Sequence, residues 1–564
     1  MNCIPGLTAA ALLAAALAAG GPVQAAGSGA VLPSFNSRVI AESRERPAGV
    51  PDDAALEAAG AVIGEIHVEP REIFDTTRPE ENTSLFRLAN RLHIETRPAT
   101  IESLLLLHRG ERYDGKVRRE NERILRSLRY IYDARITPIA WHDGIVDLEV
   151  VTRDVWTLNP GVSFGRKGGK NSSGFEVEEL NVLGLGTQIS AGYKTDVDRN
   201  SKYLSYRDRQ LGRSWWGLAA QYSDNSDGRL ADFSLDHPFY ALDTRWAAGL
   251  AVRDDRRVDS RYDLGRIVGQ YEVRDKEATL YGGWSAGRRE GWVLRWTAGF
   301  TFDEQRFSAV PLSVFGTVPP PDRKLAYPWI AAEWLQDDYR EARNRDQIER
   351  TEDFSLGWRA RAQLGYANDS LGADRNALLY QASVSHGLEP TQRQTWLFAA
   401  AANGRYEDGR VTDGIAGASA RWYFRQSPRR LLFATLGFDV ASNLDPDRQL
   451  LIGGDNGLRG YPLRYQAGEG RWLFTLEQRA YSNWYPFRLV HVGAAAFLDV
   501  GGAWGDNPFG TRAQGVLKDI GVGLRLGNSR SGLGNVVHVD LAFPLDGDKS
   551  IDKLQFVVET KRSF

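Results

Sequence analysis

The residues best placed to do chemistry lie late in the chain, in the run Gly453-Gly454-Asp455-Asn456-Gly457-Leu458-Arg459-Gly460-Tyr461. Its glycines let backbone approach a wall closely, and one cation, Arg459, stands among them. The run reads as a tight inserted loop. Its natural partners are Glu477 and Asp499, each on the polar face of an alternating segment that follows. An arginine between two carboxylates forms forked, charge-assisted hydrogen bonds, and stranding one partner away from bulk water costs about 1–3 kcal/mol. The alternative for the same residues is an exposed turn whose arginine contributes almost nothing.

Other chemistries find less support. Gly283-Trp284-Ser285-Ala286-Gly287 matches the Gly-x-Ser-x-Gly of serine hydrolases, but that elbow needs a strand followed by a helix. Here 279–284 and 292–300 both read as strands around Arg288-Arg289-Glu290-Gly291. Residues 181–186 are glycine-rich yet open no helix, so they are not read as a phosphate loop. The eight histidines (67, 93, 108, 142, 237, 386, 491, 538) show no ligand-pair spacing, and the one cysteine, Cys3, falls in an apolar leader. Disulfides, thiol nucleophiles and Cys-ligated zinc are therefore not expected. No catalytic residue, metal or cofactor is assigned. Trp215-Trp216, Trp329 and Trp484-Tyr485 read as interfacial or barrel-wall residues rather than base-stacking platforms.

These residues need a scaffold, and composition narrows it. The chain has 564 residues, 42% hydrophobic and 25% charged, with 16 Trp, 21 Tyr and 23 Phe, too aromatic for a disordered chain. Beyond the leader no apolar run reaches the roughly 18 residues of a transmembrane helix. A formal net charge of -2 announces no nucleic-acid partner. Residues 1–25 read as a removable export signal, apolar over 7–19 with Val23-Gln24-Ala25 at the cleavage site. Residues 26–61, rich in Ala, Pro and Ser, read as a linker. From 62 to 157 the pattern is that of a small α/β domain. A strand over 62–68 comes first, then a helix over 100–107 stopped by Gly110, then a helix over 116–131 with Val117, Ile124, Leu125, Leu128 and Ile131 on one stripe. Two strands follow, 134–141 and 145–156, joined by His142-Asp143-Gly144 in a tight hairpin.

From 158 to 564 helical stripes give way to short segments of alternating apolar and polar residues. Over 490–500 the odd residues His491, Gly493, Ala495, Phe497 and Asp499 oppose Val490, Val492, Ala494, Ala496, Leu498 and Val500. Ile520, Val522, Leu524 and Leu526 alternate with Gly521, Gly523 and Arg525; Val537, Val539, Leu541 and Phe543 with His538, Asp540 and Ala542. A soluble sandwich would bury the apolar face, whereas a transmembrane barrel would turn it to lipid and keep small and polar residues in the lumen. Export, the length of the region and the charged opposite face favour the barrel. At about 10 residues per strand sixteen strands fit, as do fourteen or eighteen. Residues 311–324 and 336–352 are too polar or Pro-rich to cross lipid and read as loops.

Taken in order, Leu458-Arg459-Gly460-Tyr461, Phe497-Leu498-Asp499-Val500-Gly501, Gly521-Val522-Gly523-Leu524-Arg525 and a terminal Phe564 resemble the BamA/TamA superfamily of outer-membrane assembly factors and two-partner secretion transporters. The 62–157 domain looks like the POTRA domain those proteins hold in the periplasm. The resemblance implies a mainly β chain, one POTRA-like domain before a transmembrane antiparallel barrel of sixteen strands, with a weak seam between first and last strands near 157–165 and 554–564. It implies that Arg459, with Gly460 and Tyr461, locks an inserted loop to Asp499 and Glu477 of the wall. Phe556, Val558 and Phe564 would form the terminal assembly signal. The expected function is non-catalytic insertion or translocation of proteins at the bacterial outer membrane. The expected partners are the lipid bilayer, unfolded outer-membrane or secreted polypeptides and periplasmic chaperones. A passive channel or surface antigen with a docking domain is the alternative. The pattern departs from the family in carrying one POTRA-like domain where relatives carry two, three or five, and in placing Arg562 where the last strand's alternation wants an apolar residue.

Overall fold

The computed structural model describes residues 46–311, 314–507, 510–511, 515–532 and 536–561. The expected export signal, the first part of the expected linker, Arg562 and Phe564 lie outside the described residues.

The rest of the expected linker is not featureless. It holds α1 (Asp53–Ala58), whose N-cap Asp52 accepts from the Ala55 N–H at 2.8 Å and whose Leu56 is buried in the domain core. A six-residue helix with one apolar anchor has no periodic stripe for a sequence reading to find. The domain continues with β1 (Val62–Arg71), α2 (Ser84–Leu92), α3 (Pro98–Glu102), α4 (Gly115–Arg126), β2 (Ile131–His142) and β3 (Ile145–Asp154). Its sheet has the order β1-β3-β2, with β1 parallel and β2 antiparallel to β3. Positive φ at both Asp143 and Gly144 makes the tight hairpin that Asp-Gly favours. Both expected helices are shorter than their sequence bounds. The second stops at Arg126 because the next residues turn into β2, taking Ile131 into the sheet. The helix α2, absent from the sequence reading, is capped by Thr83 and leaves Leu85, Leu88 and Leu92 exposed.

The barrel strands follow in chain order: β4 (Leu158–Lys167), β5 (Lys170–Val182), β6 (Thr187–Thr195), β7 (Asn200–Asp208), β8 (Gly217–Asn225), β9 (Gly228–His237), β10 (Trp246–Asp263), β11 (Arg266–Arg289), β12 (Trp292–Ala309) and β13 (Arg323–Gln336). A two-stranded insert, β14 (Tyr339–Ala342) with β15 (Glu352–Ser355), comes next. The wall resumes with β16 (Arg359–Ala367), β17 (Ala377–Thr391), β18 (Gln394–Glu407), β19 (Arg410–Ser427) and β20 (Arg430–Ser442). A second insert pairs β21 (Leu450–Ile452) with β22 (Gln466–Gly468), and β23 (Gly470–Tyr481), β24 (Val490–Trp504), β25 (Leu517–Asn528), β26 (Val536–Pro544) and β27 (Gln555–Lys561) complete the wall.

The described wall is a closed barrel of twenty strands, not the expected sixteen. Turns such as Leu264-Gly265, Glu290-Gly291 and Asp408-Gly409, all at positive φ, are two-residue hairpin turns. They return length to strands that long loops would otherwise consume. Of the expected loop 311–324, residues 311 and 314–322 lie between β12 and β13 while Arg323 and Lys324 already belong to β13, and 336–352, read as a loop, carries β14 and leads into β15.

Many outward side chains are apolar and exposed, such as Leu280 (62% exposed), Ile330 (52%) and Val522 (53%). Inward positions on β25 and β26 hold Gly521, Arg525, His538 and Asp540, all buried. Closure is uneven. Among the described residues, β26 and β27 stay in register from Val536–Lys561 to Ala542–Gln555, whereas β27 meets β4 at one pair, Val558–Arg166.

The domain packs against one mouth of the barrel, the near mouth. Arg530, in the turn after β25, donates to the Ile73 carbonyl (2.5 Å) and pairs with Glu81.

Candidate functional site

The loop between β20 and β23 folds from the far mouth back into the lumen, and Arg459 is its deepest charge, 3% exposed. Its Nε and Nη2 donate to Asp499 Oδ2 (2.7 Å) and Oδ1 (3.0 Å), a bidentate fork. Its Nη1 donates to Glu477 Oε2 and to Asp540 Oδ2, each at 3.1 Å. The guanidinium lies 3.3 Å above the Phe497 ring centroid, a cation–π contact added to the charged bonds.

Each carboxylate is held a second time. Glu477 accepts from Arg479 Nε (2.8 Å) and Arg525 Nη2 (3.0 Å), Asp540 from Arg525 Nη1 (2.5 Å), and Asp499 from the Thr475 hydroxyl (2.8 Å). Arg459, Arg479 and Arg525 thus interleave with Glu477, Asp499 and Asp540, all buried. Buried ions of this kind persist where further hydrogen bonds satisfy what the pair itself leaves open. The carboxylates converge on guanidinium, and no described group of three His, Cys, Asp or Glu residues is arranged for a metal ion.

The glycines around the cage act by leaving room. A Cβ on Gly460 would sit 2.6 Å from the Asp519 Cβ and 3.1 Å from the Pro544 nitrogen. On β25 a Cβ at Gly521 would strike the Phe497 ring at 2.3 Å, and one at Gly523 would lie 1.8 Å from Asp540 Oδ1. The Gly-Val-Gly spacing of β25 therefore opens space for the aromatic floor and one wall of the cage. Tyr461 is fully buried; its hydroxyl donates to the Lys518 carbonyl (2.8 Å) and accepts from the Lys518 N–H (3.0 Å). Burial pushes its phenol up to about 12, so it remains a donor at neutral pH.

Of the residues singled out from sequence, Arg459, Gly460, Tyr461, Glu477 and Asp499 come together here. Phe556 and Val558 lie on the outer face of β27, away from the cage. Asp540, Arg525 and Arg479 join the cage beyond the partners expected from sequence, although alternation places all three on inward faces. Ser285 sits mid-strand on β11, fully buried, donating to the Leu294 carbonyl (2.9 Å); strands, not a helix, flank it.

A second insert enters the near mouth. Residues 343–351, between β14 and β15, enter the lumen and pack Ile348 with Tyr423, Tyr481 and Val536 of the wall. Tyr423 donates to Asp346 (2.9 Å), and Arg479 donates to the Arg345 carbonyl (2.7 Å). The insert is also tied to the domain. Arg126 of α4 pairs with Asp353 (2.6 Å) and Glu341 (3.0 Å), and Thr351 donates to Asp133 (2.8 Å). Glu352 accepts three backbone N–H bonds, from Arg345, Asp346 and Gln347. Burial and the neighbouring Asp346 nevertheless outweigh them and push its carboxyl up to about 8.

No protein-family model and no curated protein matches this chain. Among solved structures it is similar to BamA from Haemophilus ducreyi lacking POTRA domains 1–3, at TM-score 0.37 and 12% identity over 89% of this chain and 85% of that one. It is also similar to CdiB from Escherichia coli (TM-score 0.46, 12% identity, 89% and 76% covered) and CdiB from Acinetobacter baumannii (TM-score 0.39, 12% identity, 89% and 73% covered).

Proposed function

We propose that this chain is an outer-membrane β-barrel that inserts polypeptides into the membrane or passes them across it, without chemical catalysis. Its 62–157 domain serves as a POTRA-like docking module on the periplasmic side. The observation that carries this reading is the seam. With one registered pair between β27 and β4 among the described residues, the described parts of both strands keep backbone donors and acceptors at the wall that no partner strand takes. An incoming strand can gain hydrogen bonds there by β-augmentation. The outward apolar face supports a lipid surround, and the Leu458-Arg459-Gly460-Tyr461 loop with its carboxylates supports the resemblance drawn from sequence. An insert entering the lumen from each mouth weighs against a passive channel.

In this reading Arg459 keeps the inserted loop, and with it the lumen, in register, while the domain hands substrate toward the seam. The decisive test closes the seam. Arg166→Cys with Val558→Cys is to be oxidised in cells depleted of the wild-type copy. Oxidation is expected to deplete outer-membrane or secreted proteins, and reduction to restore them. Undiminished delivery with the disulfide formed would overturn the proposal.

A further inference from the structure

Two cross-strand rows run over the outer face of the wall. Trp246, Trp284 and Trp296 stand opposite one another on β10, β11 and β12. Ten residues farther from the near mouth on each strand, Arg256, Arg274 and Arg306 do the same, and Arg229 of β9 extends the row. Pairing between the two rows is unbroken on β10, β11 and β12 until Ser285 and Arg261, beyond either row, so both lie on one face. The outward residues between them begin apolar, with Leu250, Val252, Leu280 and Phe300 all exposed. Ten residues span about 33 Å of strand. For strands tilted about 40° that is roughly 25 Å along the barrel axis, the height of the apolar band in outer-membrane barrels. The tryptophans therefore mark one interface and the arginines the other.

Like charges directly opposite one another on a sheet are destabilising, and on the inner face of the same strands, where Asp255 stands opposite Asp275 and Glu277 opposite Asp303, an arginine is interposed at the first pair. There Arg257 pairs with Asp255 and Asp259 (2.9 Å each). On the outer face Asp254 holds Arg274 (3.0 Å) and Glu304 holds Arg306 (2.8 Å), with Lys276 between those two carboxylates in register. Asp224 stands opposite Arg229 on β8 without an ion pair, and Glu272 accepts from Ser308 (3.2 Å). Arg229 and Arg256, both exposed, make no ion pair with any described residue.

We propose that this row binds the phosphate-bearing headgroup of a lipid in the far leaflet, with Arg229 and Arg256 as its principal ligands. Arginine's planar fork matches phosphate oxygens, and Phe233 and Val252, exposed just below, meet the acyl chains. Four strands place the outermost arginines about 14 Å apart, wide enough for a headgroup with two phosphates. The inference rests on the barrel crossing a bilayer.

The test uses the full chain refolded into phosphatidylcholine vesicles doped with diphosphoryl lipid A. Flotation of the wild type with the vesicles checks the bilayer reading on its own, and failure to float would end both readings. Diphosphoryl lipid A is expected to bind the wild type, its dephosphorylated form at least tenfold more weakly. Arg229→Gln with Arg256→Gln should lose about tenfold or more, while keeping the heat-modifiable gel shift of a folded barrel. If that variant fails to fold, Arg256→Gln alone, which removes a charge engaged in no ion pair, carries the test. A floating protein whose variant binds the lipid as well as wild type would overturn the site. So would inorganic phosphate competing as effectively as the lipid, since the site would then hold a free anion.

Discussion

Arg459 is held by carboxylates that are themselves held, so removing it strands charge. Arg459→Ala leaves Asp499 without its fork and Asp540 with one cation instead of two. Breaking a buried pair from one side costs about 3–5 kcal/mol. The compact form is therefore expected to convert to the unfolded band at a lower temperature in a heat-modifiability gel, with the 62–157 domain still folded. Arg459→Lys keeps the charge but loses the bidentate geometry, so its transition should fall between wild type and Arg459→Ala. An Arg459→Ala transition unchanged from wild type would mean the cage does not hold the loop.

At the scale of elements, the near-mouth insert folds around a buried carboxyl that titrates, Glu352. Glu352 binds its proton more tightly folded (about 8) than at its ordinary value of 4.5. Its contribution is complete below about pH 4.5 and is lost as pH rises through 8. The protection factors of residues 343–351, exchange rates referred to the intrinsic rate at each pH, should accordingly be higher at pH 5 than at pH 8.5, and Glu352→Gln should flatten that difference. The neighbours that face it, Asp346 and Tyr481, stay in place in that variant. Independently, Arg126→Glu sets a carboxylate against Asp353 and Glu341. It is expected to expose 343–351 to protease in the folded protein; an unchanged cleavage pattern would show that the domain does not latch the insert.

At the scale of the molecule, the two inserts meet through the wall. Arg345 gives its carbonyl to Arg479, Arg479 pairs with Glu477, and Glu477 takes Arg459 of the far-mouth loop. With the Arg126–Asp353 contact, polar contacts run from the domain through the insert to the far-mouth loop. Contiguity alone does not establish coupling, and a double-mutant cycle measures it. Arg126→Ala and Arg459→Ala, read by protection of residues 343–351, should be non-additive by roughly 0.5–2 kcal/mol if the inserts act as a unit. Strict additivity would make them two separate plugs.

Much of this molecule was legible locally. Alternation identified strands and their inward and outward faces, because side chains along a strand repeat every two residues. Glycines around one arginine marked the inserted loop, because close approach of backbone is a property of a few adjacent residues. Asp-Gly placed the domain hairpin for the same reason. Asp540 was assigned to the inward face but not to Arg459, since the two are 81 positions apart in sequence and meet only through strand order. The twenty-strand count, the single-pair seam, the insert inside the near mouth and the arginine row likewise depend on how strands pair and how the sheet closes. Closure links strand number, tilt and stagger around the whole circumference, and no local segment of sequence contains that information.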